Sequence, residues 1–297
     1  MIGRPLVQPQ LRSAAHDGLR SLLHQALVGR SEPVCFFDDA TVPAISAWAG
    51  ARAWVRALRR AGVVAGDRVV ISVADRPVAF EVIIACLWEG VCAIPVDAGN
   101  VAWAMRATDA RVAIVGREAP DVRRRSPEGG DRGFPAWEAY GLGDPAEPLH
   151  EPLPAGARRD TALLLHGATG WVPMGAARLV SIATHGRLAP MLGARAVSTV
   201  DWGDPAGLLY GIIAPVLRSC AVLVAIEPMG LHGVDDEVLE MCDEATWLTS
   251  SDAAIAHTLA SHPDALGRCR GLVAIVDGSL EPRIGYGGEP MTLHCVA

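Results

Sequence analysis

The sequence contains no lysine. All 26 positively charged side chains among its 297 residues are arginines. A chain without lysine cannot form a Schiff base, cannot use a lysine amine as a general base and cannot hold a phosphate with a lysine ammonium. Every reaction that needs one of these groups from this chain is therefore excluded.

Cysteine and histidine are present, but not in patterns typical of disulfide frameworks or metal sites. The seven cysteines are scattered through apolar segments, and no two of them form a Cys-x-x-Cys pair. This pattern predicts reduced, buried thiols in a cytoplasmic protein. The nine histidines show no spacing typical of a structural zinc site, so we expect no metal and no other cofactor.

Basic clusters and long apolar runs are also scarce. The formal net charge is −7, and binding to nucleic acid needs clustered positive charge that neutralises phosphates. No apolar run reaches the length of a membrane span, and the N-terminus lacks the basic-then-apolar layout of a signal peptide. We therefore expect no nucleic-acid partner and no membrane association.

The chain is organised around the stretch from Thr161 to Gly175. Four apolar residues, 162–165, are followed at once by a glycine-rich segment, 167–170. This pattern is typical of a strand that is buried on both faces and ends in a glycine turn. Backbone N–H groups of such a turn can converge on a phosphate, and the Thr169 hydroxyl adds a donor. The alternative, an ordinary left-handed turn after a core strand, stays open.

The first part of the chain, residues 1–118, alternates strands with helices. Leucines at helical spacing in the first 33 residues predict a docking helix, and an apolar stripe that starts at Ile45 predicts a second one. Strands that alternate with helices form a parallel sheet with right-handed crossovers. The strands and helices predicted for the rest of this α/β subdomain are Arg68–Val73, Pro77–Trp88, Cys92–Val96, Ala102–Ala107 and Val112–Val115.

The second part of the chain follows a proline- and glycine-rich connection, residues 119–159. Residues 160–297 are expected to form a second α/β subdomain, with a helix from about His185 that Thr184 caps. The sequence therefore predicts two packed, mainly parallel sheets flanked by helices, in αβαβα-like layers. The later strands are predicted near Ala196–Val200, Ala221–Ile226, Thr246–Leu248 and Leu272–Val276.

Residues 57–97 resemble a segment of the adenylate-forming superfamily, which comprises acyl-CoA synthetases, adenylation domains of nonribosomal peptide synthetases, and luciferases. The family shows a helix that ends in glycine, then a Gly-Asp turn before a strand, then the pattern L-x-x-G-x-x-x-x-P-x-D. This sequence has Gly66 and Asp67 at the turn. The longer pattern is matched by Leu87, Gly90, Pro95 and Asp97.

The glycine-rich stretch resembles the phosphate loop of the same family, T-S-G-T-T-G-x-P-K-G. Here it reads HGATGWVPMG, with one extra residue before the proline. His166 replaces a serine and Met174 replaces the lysine. Downstream, Asp204 takes the place of the histidine in the family pattern P-L-F-H-x-x-G-L. Residues 273–282 are similar to a strand that ends in S-G-G-A-P-L, and residues 286–289 are similar to Y-G-x-T-E.

The resemblance implies that the functional side chains gather in one crevice at the carboxyl ends of the second sheet, where open α/β sheets bind ligands. In the family, the tyrosine of Y-G-x-T-E packs near adenine and the glutamate contacts magnesium. Two simpler roles stay open: His166 as a core histidine bonded to backbone, and Asp204 as the N-cap of the helix that follows. The candidate catalytic residues are Asp204, His166 and Glu289, and the candidate cofactor-binding residues are Gly167, Thr169, Gly170, Asp277 and Tyr286.

The departures from the family bear on function. Adenylation needs cations where charge develops on the α-phosphate, and this chain lacks both family lysines. The sequence is also expected to lack the third subdomain and the C-terminal domain of the ligases. We therefore expect a non-adenylating component of a biosynthetic pathway that works with a second subunit or a carrier protein on an acyl or aminoacyl substrate. The alternatives are an ATP-independent cyclising or transferring enzyme and a residual ligase.

Overall fold

The computed structural model describes most of the chain outside the connection between the two parts. The described residues are 14–30, 32–37, 40–110, 112–116, 138–139, 160–167, 170–184, 186–191, 194–200, 204–224, 234, 236–276, 280, 282–286 and 294–295. Nearly all of the predicted connection, 119–159, lies outside these ranges.

Helices and strands alternate along the described residues. The α-helices are α1 (Ala14–Leu27), α2 (Ala44–Arg60), α3 (Arg76–Glu89), α4 (Val101–Thr108), α5 (Ala176–Thr184), α6 (Ala214–Leu217), α7 (Asp236–Glu240), α8 (Asp252–Ser261) and α9 (Pro263–Gly267). The strands are β1 (Pro33–Phe37), β2 (Ala40–Pro43), β3 (Arg68–Ser72), β4 (Cys92–Pro95), β5 (Val112–Val115), β6 (Glu138–Ala139), β7 (Thr161–Gly167), β8 (Gly170–Gly175), β9 (Arg195–Ser198), β10 (Ala221–Val224), β11 (Thr246–Ser251), β12 (Gly271–Ile275), β13 (Arg283–Tyr286) and β14 (His294–Cys295).

The strands form two sheets, each with a parallel centre and antiparallel edges. The first sheet has the order β6-β5-β3-β4-β7-β8, in which β5, β3, β4 and β7 run parallel. The second sheet has the order β14-β13-β12-β11-β9-β10-β1-β2, with a parallel centre from β12 to β1. Strand β8 is joined to β7 as an antiparallel hairpin, which Gly167 and Gly170 close.

The two sheets and their helices pack as five layers. One apolar core joins the inner faces of both sheets to α1, α2, α3, α5 and α6, which form the middle layer. A second core lies under α4 on the outer face of the first sheet, and a third lies under α7 to α9 on the outer face of the second sheet. The predicted αβαβα-like fold with mainly parallel sheets is confirmed.

The sheets do not follow the expected segments 1–118 and 160–297. Strands β1 and β2 pair with β10 in the second sheet, and β7 and β8 join the first sheet beside β4. The prediction that Thr161 opens the second sheet is therefore wrong. Local patterns show that a buried strand is present, but its neighbours are set by pairing between distant segments.

The prediction of a helix that starts at about His185 is also wrong. Helix α5 ends at Thr184, and a 3-10 helix, Gly186–Met191, follows. The Thr184 hydroxyl donates a hydrogen bond of 2.8 Å to the Val180 carbonyl one turn earlier. Threonine hydroxyls can also satisfy carbonyls in the last turn of a helix, so Thr184 stands at the end of this helix.

On α2, the prediction that an apolar stripe starts at Ile45 is wrong, because the Ile45 side chain is 63% exposed.

Helix α3 is closed at both ends by its own sequence. Asp75 accepts a hydrogen bond of 3.1 Å from the Val78 amide through Oδ1, and Pro77 occupies a first-turn position that needs no amide donor. At the other end, Gly90 takes a left-handed conformation with φ 73°, which favours glycine. The sharp start of α3 directs the chain from β3 into the middle layer.

The described cysteines agree with the prediction of reduced, buried thiols. The six cysteines whose side chains the structure describes are buried and free. Burial raises the pKa of Cys92 to about 12 and that of Cys220 to about 11, so both thiols stay protonated near neutral pH. Among the described residues, no helix is long and apolar enough to span a membrane.

The contact between α2 and α3 contains a half-buried carboxylate whose pKa is raised. The Glu81 carboxylate lies against Gly50 and shares a hydrogen bond with Trp54. Burial, and secondly the negative charge of Asp75, raise the pKa of Glu81 from 4.5 to about 7, although the Trp54 bond opposes the shift.

We expect Glu81→Gln to change how stability depends on pH. Because the folded-state pKa is higher than that of the unfolded chain, the native state binds more protons between pH 4.5 and 7. The wild type should therefore lose stability as pH rises through this window, and the difference between the variant and the wild type should grow in favour of the variant. Urea midpoints at pH 5 and pH 8 measure this, with the exposed Glu240→Gln as the control. A difference independent of pH would contradict the prediction.

Candidate functional site

The first sheet has a crevice between β3 and β4. Strand β3 continues into α3 in the middle layer, whereas the neighbouring strand β4 continues into α4 on the outer face. Two adjacent parallel strands whose connections leave to opposite faces open a crevice at their carboxyl ends, which is where open α/β sheets bind ligands.

A pocket of about 220 Å³ occupies this crevice. Apolar side chains of β3, β4 and α3, including Ile71, Ile83 and Pro95, line it. Polar groups come from the starts of the two connections and from the end of β7. These polar lining residues are Arg76, Asp97, Asn100 and His166.

Three aromatic rings pack beside the pocket. Trp103 of α4 and Trp171 of β8 stack with a centroid distance of 4.9 Å and an interplanar angle of 14°. The His166 ring meets both edge-on, at 4.7 Å from Trp103 and 4.9 Å from Trp171. Trp171 is 7% exposed, and its Nε1 has no hydrogen-bond partner. The cluster fixes His166 and Trp103 as one wall of the pocket.

The second sheet has a corresponding switch point between β9 and β11, where a ligand crevice is expected. Strand β9 leads to a π-helix, Gly207–Ile213, and to α6 in the middle layer, whereas β11 leads to α8 on the outer face. These strands are neighbours, so their carboxyl ends also meet the condition for a ligand crevice. Single turns of π-helix within helices occur frequently at functional sites.

Hydroxyl groups gather at the ends of β9 and β11. Thr199 donates a hydrogen bond of 2.8 Å through Oγ1 to Oγ of Ser250. The hydroxyls of Ser198 and Thr249 are buried and have no partner. A Cβ atom at position 211 would clash with Ser198 Oγ, so only glycine at this position lets the π-helix pack this closely against the sheet. Unpartnered buried hydroxyls are uncommon in folded proteins and mark this region for functional tests.

Asp204 caps the helical segment beside this second crevice. Its Oδ1 accepts a hydrogen bond of 2.7 Å from the Gly207 amide, and its carbonyl accepts one of 2.9 Å from Leu208. The N-cap role that the sequence left open is thus confirmed. The same carboxylate has a second oxygen, so capping leaves room for a further hydrogen bond.

The structure brings Asp204 close to the glycine hairpin but not to the His166 ring. Gly167 faces the middle layer, and a side chain there would begin 3.5 Å from Pro205, next to Asp204. The neighbouring residue on a strand faces the opposite side, and the His166 ring accordingly packs with Trp103 in the outer layer. Of the residues expected in one crevice, Gly167 therefore lies near Asp204, whereas the His166 ring lines the first pocket.

The remaining candidate residues are placed only in part. Gly170 starts β8 opposite Gly167, and its φ of 102° favours glycine. Tyr286 ends β13, where its backbone pairs with Gly271, and its side chain is not among those described. Thr169, Asp277 and Glu289 lie outside the described residues.

We expect the two roles of Asp204 to separate by substitution. Asp204→Ala removes the cap and should lower the free energy of unfolding by about 1 kcal/mol, because the Gly207 amide loses its acceptor. Asp204→Asn keeps a capping oxygen and should unfold close to the wild type. Urea denaturation of the three proteins measures both differences. Equal destabilisation by alanine and asparagine would show that charge, rather than capping, determines the effect.

Sequence reasoning missed most of the side chains that line the two crevices. Arg76 and Trp103 were not among the candidates, nor were the hydroxyls of β9 and β11. Asp97 was noted only as part of a family pattern. These residues can be identified only from the order of the strands in each sheet, and local periodicity in the sequence does not reveal that order. Among the described residues, no group of three or more His, Cys, Asp or Glu side chains could hold a metal ion.

Solved structures share the fold of this chain. CmiS6 has 19% identity and a TM-score of 0.59, over 89% of this chain and 65% of its own. The Klebsiella oxytoca NpsA N-terminal subdomain, in complex with 3-hydroxyanthranilyl-AMSN, has 14% identity and a TM-score of 0.58, over 96% of this chain and 76% of its own. The artificially fused adenylation-PCP di-domain NpsA-ThdA, from the same organism, has 17% identity and a TM-score of 0.60, over 90% of this chain and 49% of its own.

These likenesses establish the class of fold. The chain has the α/β fold of the N-terminal large domains of adenylate-forming enzymes, with two mainly parallel sheets flanked by helices. The resemblance drawn from the sequence is confirmed at the level of the fold. No protein-family model and no curated protein matches the sequence. The chain spans just under two thirds of the length of CmiS6 and about half of NpsA-ThdA.

Proposed function

We propose that this chain is a non-adenylating component of a biosynthetic pathway in the cytoplasm. It keeps the layered fold of an adenylation large domain but acts as a partner subunit, which binds an acyl or aminoacyl substrate linked to a carrier protein. Residues 119–159 connect its two parts, 1–118 and 160–297, which exchange strands β1, β2, β7 and β8 between their sheets.

The position of Met174 carries this proposal. In the family pattern, a lysine holds phosphate at this point of the hairpin. Here Met174 is 1% exposed and packs in the core of the middle layer, where its strand partner is Leu163. No other lysine can take over, because the sequence has none. Losing one preorganised contact to developing charge typically costs two to three orders of magnitude in rate.

The proposed carrier-linked substrate rests on two solved structures that share the fold of this chain. NpsA-ThdA joins an adenylation domain to a carrier domain in one artificial chain, and NpsA itself binds 3-hydroxyanthranilyl-AMSN. We extend both properties to this chain as a proposal. A fold of this kind without its catalytic cations can still present surfaces that recognise a carrier.

Two measurements test the proposal. ATP–pyrophosphate exchange with a panel of aryl, acyl and amino acids should stay at background for the isolated chain. The chain expressed with an affinity tag in its source cells, cross-linked and analysed by mass spectrometry, should yield a stoichiometric second subunit or a carrier protein. Exchange above background would overturn the non-adenylating role. Recovery of this chain alone would overturn the role of a partner subunit.

A second candidate is an ATP-independent enzyme that cyclises or transfers a carrier-bound substrate. The region that follows β9 and β11 favours it, because Asp204 caps the helical segment there and Gly211 of the same segment lies against Ser198 and Thr249, whose buried hydroxyls have no partner. A carboxylate there can act as a general base. This candidate predicts that Asp204→Asn, which keeps the cap, abolishes turnover of a carrier-bound substrate while leaving the fold unchanged. His166 and Glu289 are its further candidate residues.

A further inference from the structure

Two buried cysteines lie in contact beneath the outer layer of the second sheet. Cys242 follows helix α7 and Cys269 follows helix α9, and both belong to the apolar core under these helices. Cys242 is 3% exposed and Cys269 is 1% exposed, and the Cys269 thiol donates a hydrogen bond to the Cys242 sulfur. Both side chains are free thiols. The two sulfur atoms are therefore neighbours, although the cysteines are far apart in the chain.

The backbone around the two thiols holds them together. The cysteines precede β11 and β12, which are neighbouring parallel strands with Trp247 opposite Gly271. At the start of these strands, the Arg270 amide donates a hydrogen bond of 2.9 Å to the Thr246 carbonyl. This pairing fixes the two segments that carry the thiols side by side, so a bond between the sulfur atoms needs only a local movement of side chains.

We propose that Cys242 and Cys269 form an oxidative modification site, at which a peroxide converts the two thiols into a disulfide. The site lies at the amino ends of β11 and β12, whereas Asp204 follows the carboxyl end of β9, which runs parallel to β11. The two regions are at opposite ends of the same sheet. Oxidation of the cysteines is therefore independent of the proposed function.

Cys242 is the sulfur that reacts first. The hydrogen bond from Cys269 lowers the pKa of Cys242, and the positive charges of nearby arginines, Arg195 and Arg268, act in the same direction. Burial and the charge of Asp243 oppose this shift without reversing it. Among the six cysteines whose side chains the structure describes, only Cys242 has a lowered pKa. Because the thiolate is the form that attacks a peroxide, Cys242 is the favoured nucleophile.

Cys242 lies directly under the surface. The preceding residue, Met241, is 38% exposed, and residues 243–245 are exposed as well. Helix α7 has only five residues, and short peripheral elements open at a much lower free energy than the sheet itself. By contrast, Cys35 and Cys86 are 0% exposed in the central core, and burial raises the pKa of both thiols. Peroxide should therefore reach Cys242 before these thiols.

The reaction takes place in two steps. The Cys242 thiolate attacks one oxygen of hydrogen peroxide, the O–O bond breaks, and the sulfur becomes a sulfenic acid. The hydroxide that leaves takes up the proton that Cys242 released and becomes water. The Cys269 sulfur then attacks the sulfenic sulfur, the S–O bond breaks, and the Cys269 proton leaves with the hydroxyl group as a second water. The two thiols lose two electrons in total, and the peroxide is reduced to two waters.

The disulfide would join the segment before β11 to the segment before β12. Such a cross-link restricts the unfolded chain, so the oxidised protein should melt about 5 °C or more above the reduced protein. Disulfides of cytoplasmic proteins are usually transient and redox-sensing, and thiol reductants reverse them. Dithiothreitol should therefore return the melting midpoint to that of the reduced protein.

The test is treatment of the reduced full chain with a small molar excess of hydrogen peroxide. The remaining thiols are then alkylated under denaturing conditions, counted by mass spectrometry and located by peptide mapping. We expect two fewer alkylated thiols and one cross-linked pair, Cys242 with Cys269, together with the higher melting midpoint. No loss of thiols, or cross-links that involve another cysteine, would overturn the proposal.

Two serine variants separate the two steps. Cys242→Ser removes the attacking sulfur and should leave every remaining thiol free. Cys269→Ser keeps a hydroxyl that can donate to the Cys242 thiolate but cannot close a disulfide, so dimedone should trap a sulfenic acid at Cys242. Cys92→Ala, in the core under α4, is the control and should still lose two thiols. A sulfenic acid trapped at another cysteine, or a cross-link in either serine variant, would contradict the assigned roles.

The folding of each variant is checked by its thermal midpoint before oxidation. If a serine variant does not fold, alanine at the same position replaces it, since alanine buries no hydroxyl. The peptide map of the oxidised wild type decides the outcome by itself, because it shows which two sulfur atoms are joined.

Discussion

Replacing Met174 by lysine is expected to destabilise the protein by about 3–5 kcal/mol instead of restoring a phosphate contact. The Met174 side chain is 1% exposed in the middle-layer core, where an ammonium would lose its water without gaining an anion. The melting midpoint should fall by roughly 10 °C, and ATP–pyrophosphate exchange should stay at background. Because burial lowers the pKa of a lysine, the loss of stability should be smaller at pH 10 than at pH 6.

Met174→Leu is the matched control for this substitution. It conserves volume and carries no charge, so it should cost less than about 1.5 kcal/mol. A Met174→Lys variant that unfolds like the wild type, or that gains ATP–pyrophosphate exchange, would show that the side chain at this position can reach the crevice. That result would remove the observation that carries the proposed function.

Gly271→Ala is expected to destabilise the protein by about 3 kcal/mol. Gly271 pairs with Trp247 on neighbouring strands, and a Cβ at Gly271 would lie 2.7 Å from two ring carbons of that indole. Trp247 is fully buried between the sheet and the middle layer, so its ring has no space into which to move. Urea denaturation of the variant measures the loss.

Two further variants show whether this steric conflict is the cause. Gly267→Ala, on the exposed side of α9, adds the same methyl group where nothing lies within 4 Å, and should leave stability unchanged or slightly higher. The double variant Gly271→Ala with Trp247→Leu should cost less than the sum of the two single changes, because the smaller side chain makes room for the methyl group. Additive losses would contradict the proposed conflict.

The sequence predicted the local elements of the first part of the chain closely. Strand β5 has the predicted bounds, and α3 begins within a residue of its expected start because Asp75 and Pro77 provide start signals within one turn. Apolar runs and end signals act over a few residues, so they can be read without knowing the partner strands. The N-cap role of Asp204 was open to sequence reasoning for the same reason.

The candidate site was predictable only in part. The sequence analysis assigned β7 to the second sheet and therefore predicted His166 and Asp204 in one crevice. In the structure, β7 pairs with β4 in the first sheet, and the His166 ring lies in the outer layer. A strand alternates its side chains between two faces, so the assignment of one strand to a sheet decides the surroundings of every residue on it. The pocket of Arg76 and Asp97 depends on the same pairing.

By itself, the sequence determined the chemistry that this chain lacks and the rhythm of its strands and helices. No fold can supply a lysine that the chain does not contain, and short-range patterns specify elements before they pack. Only the tertiary structure decided that Met174 faces the core, that His166 packs edge-on against two tryptophans, and that the strand connections leave to opposite faces at β3/β4 and at β9/β11. These features arise from contacts between residues far apart in the chain, for which local propensity carries no information.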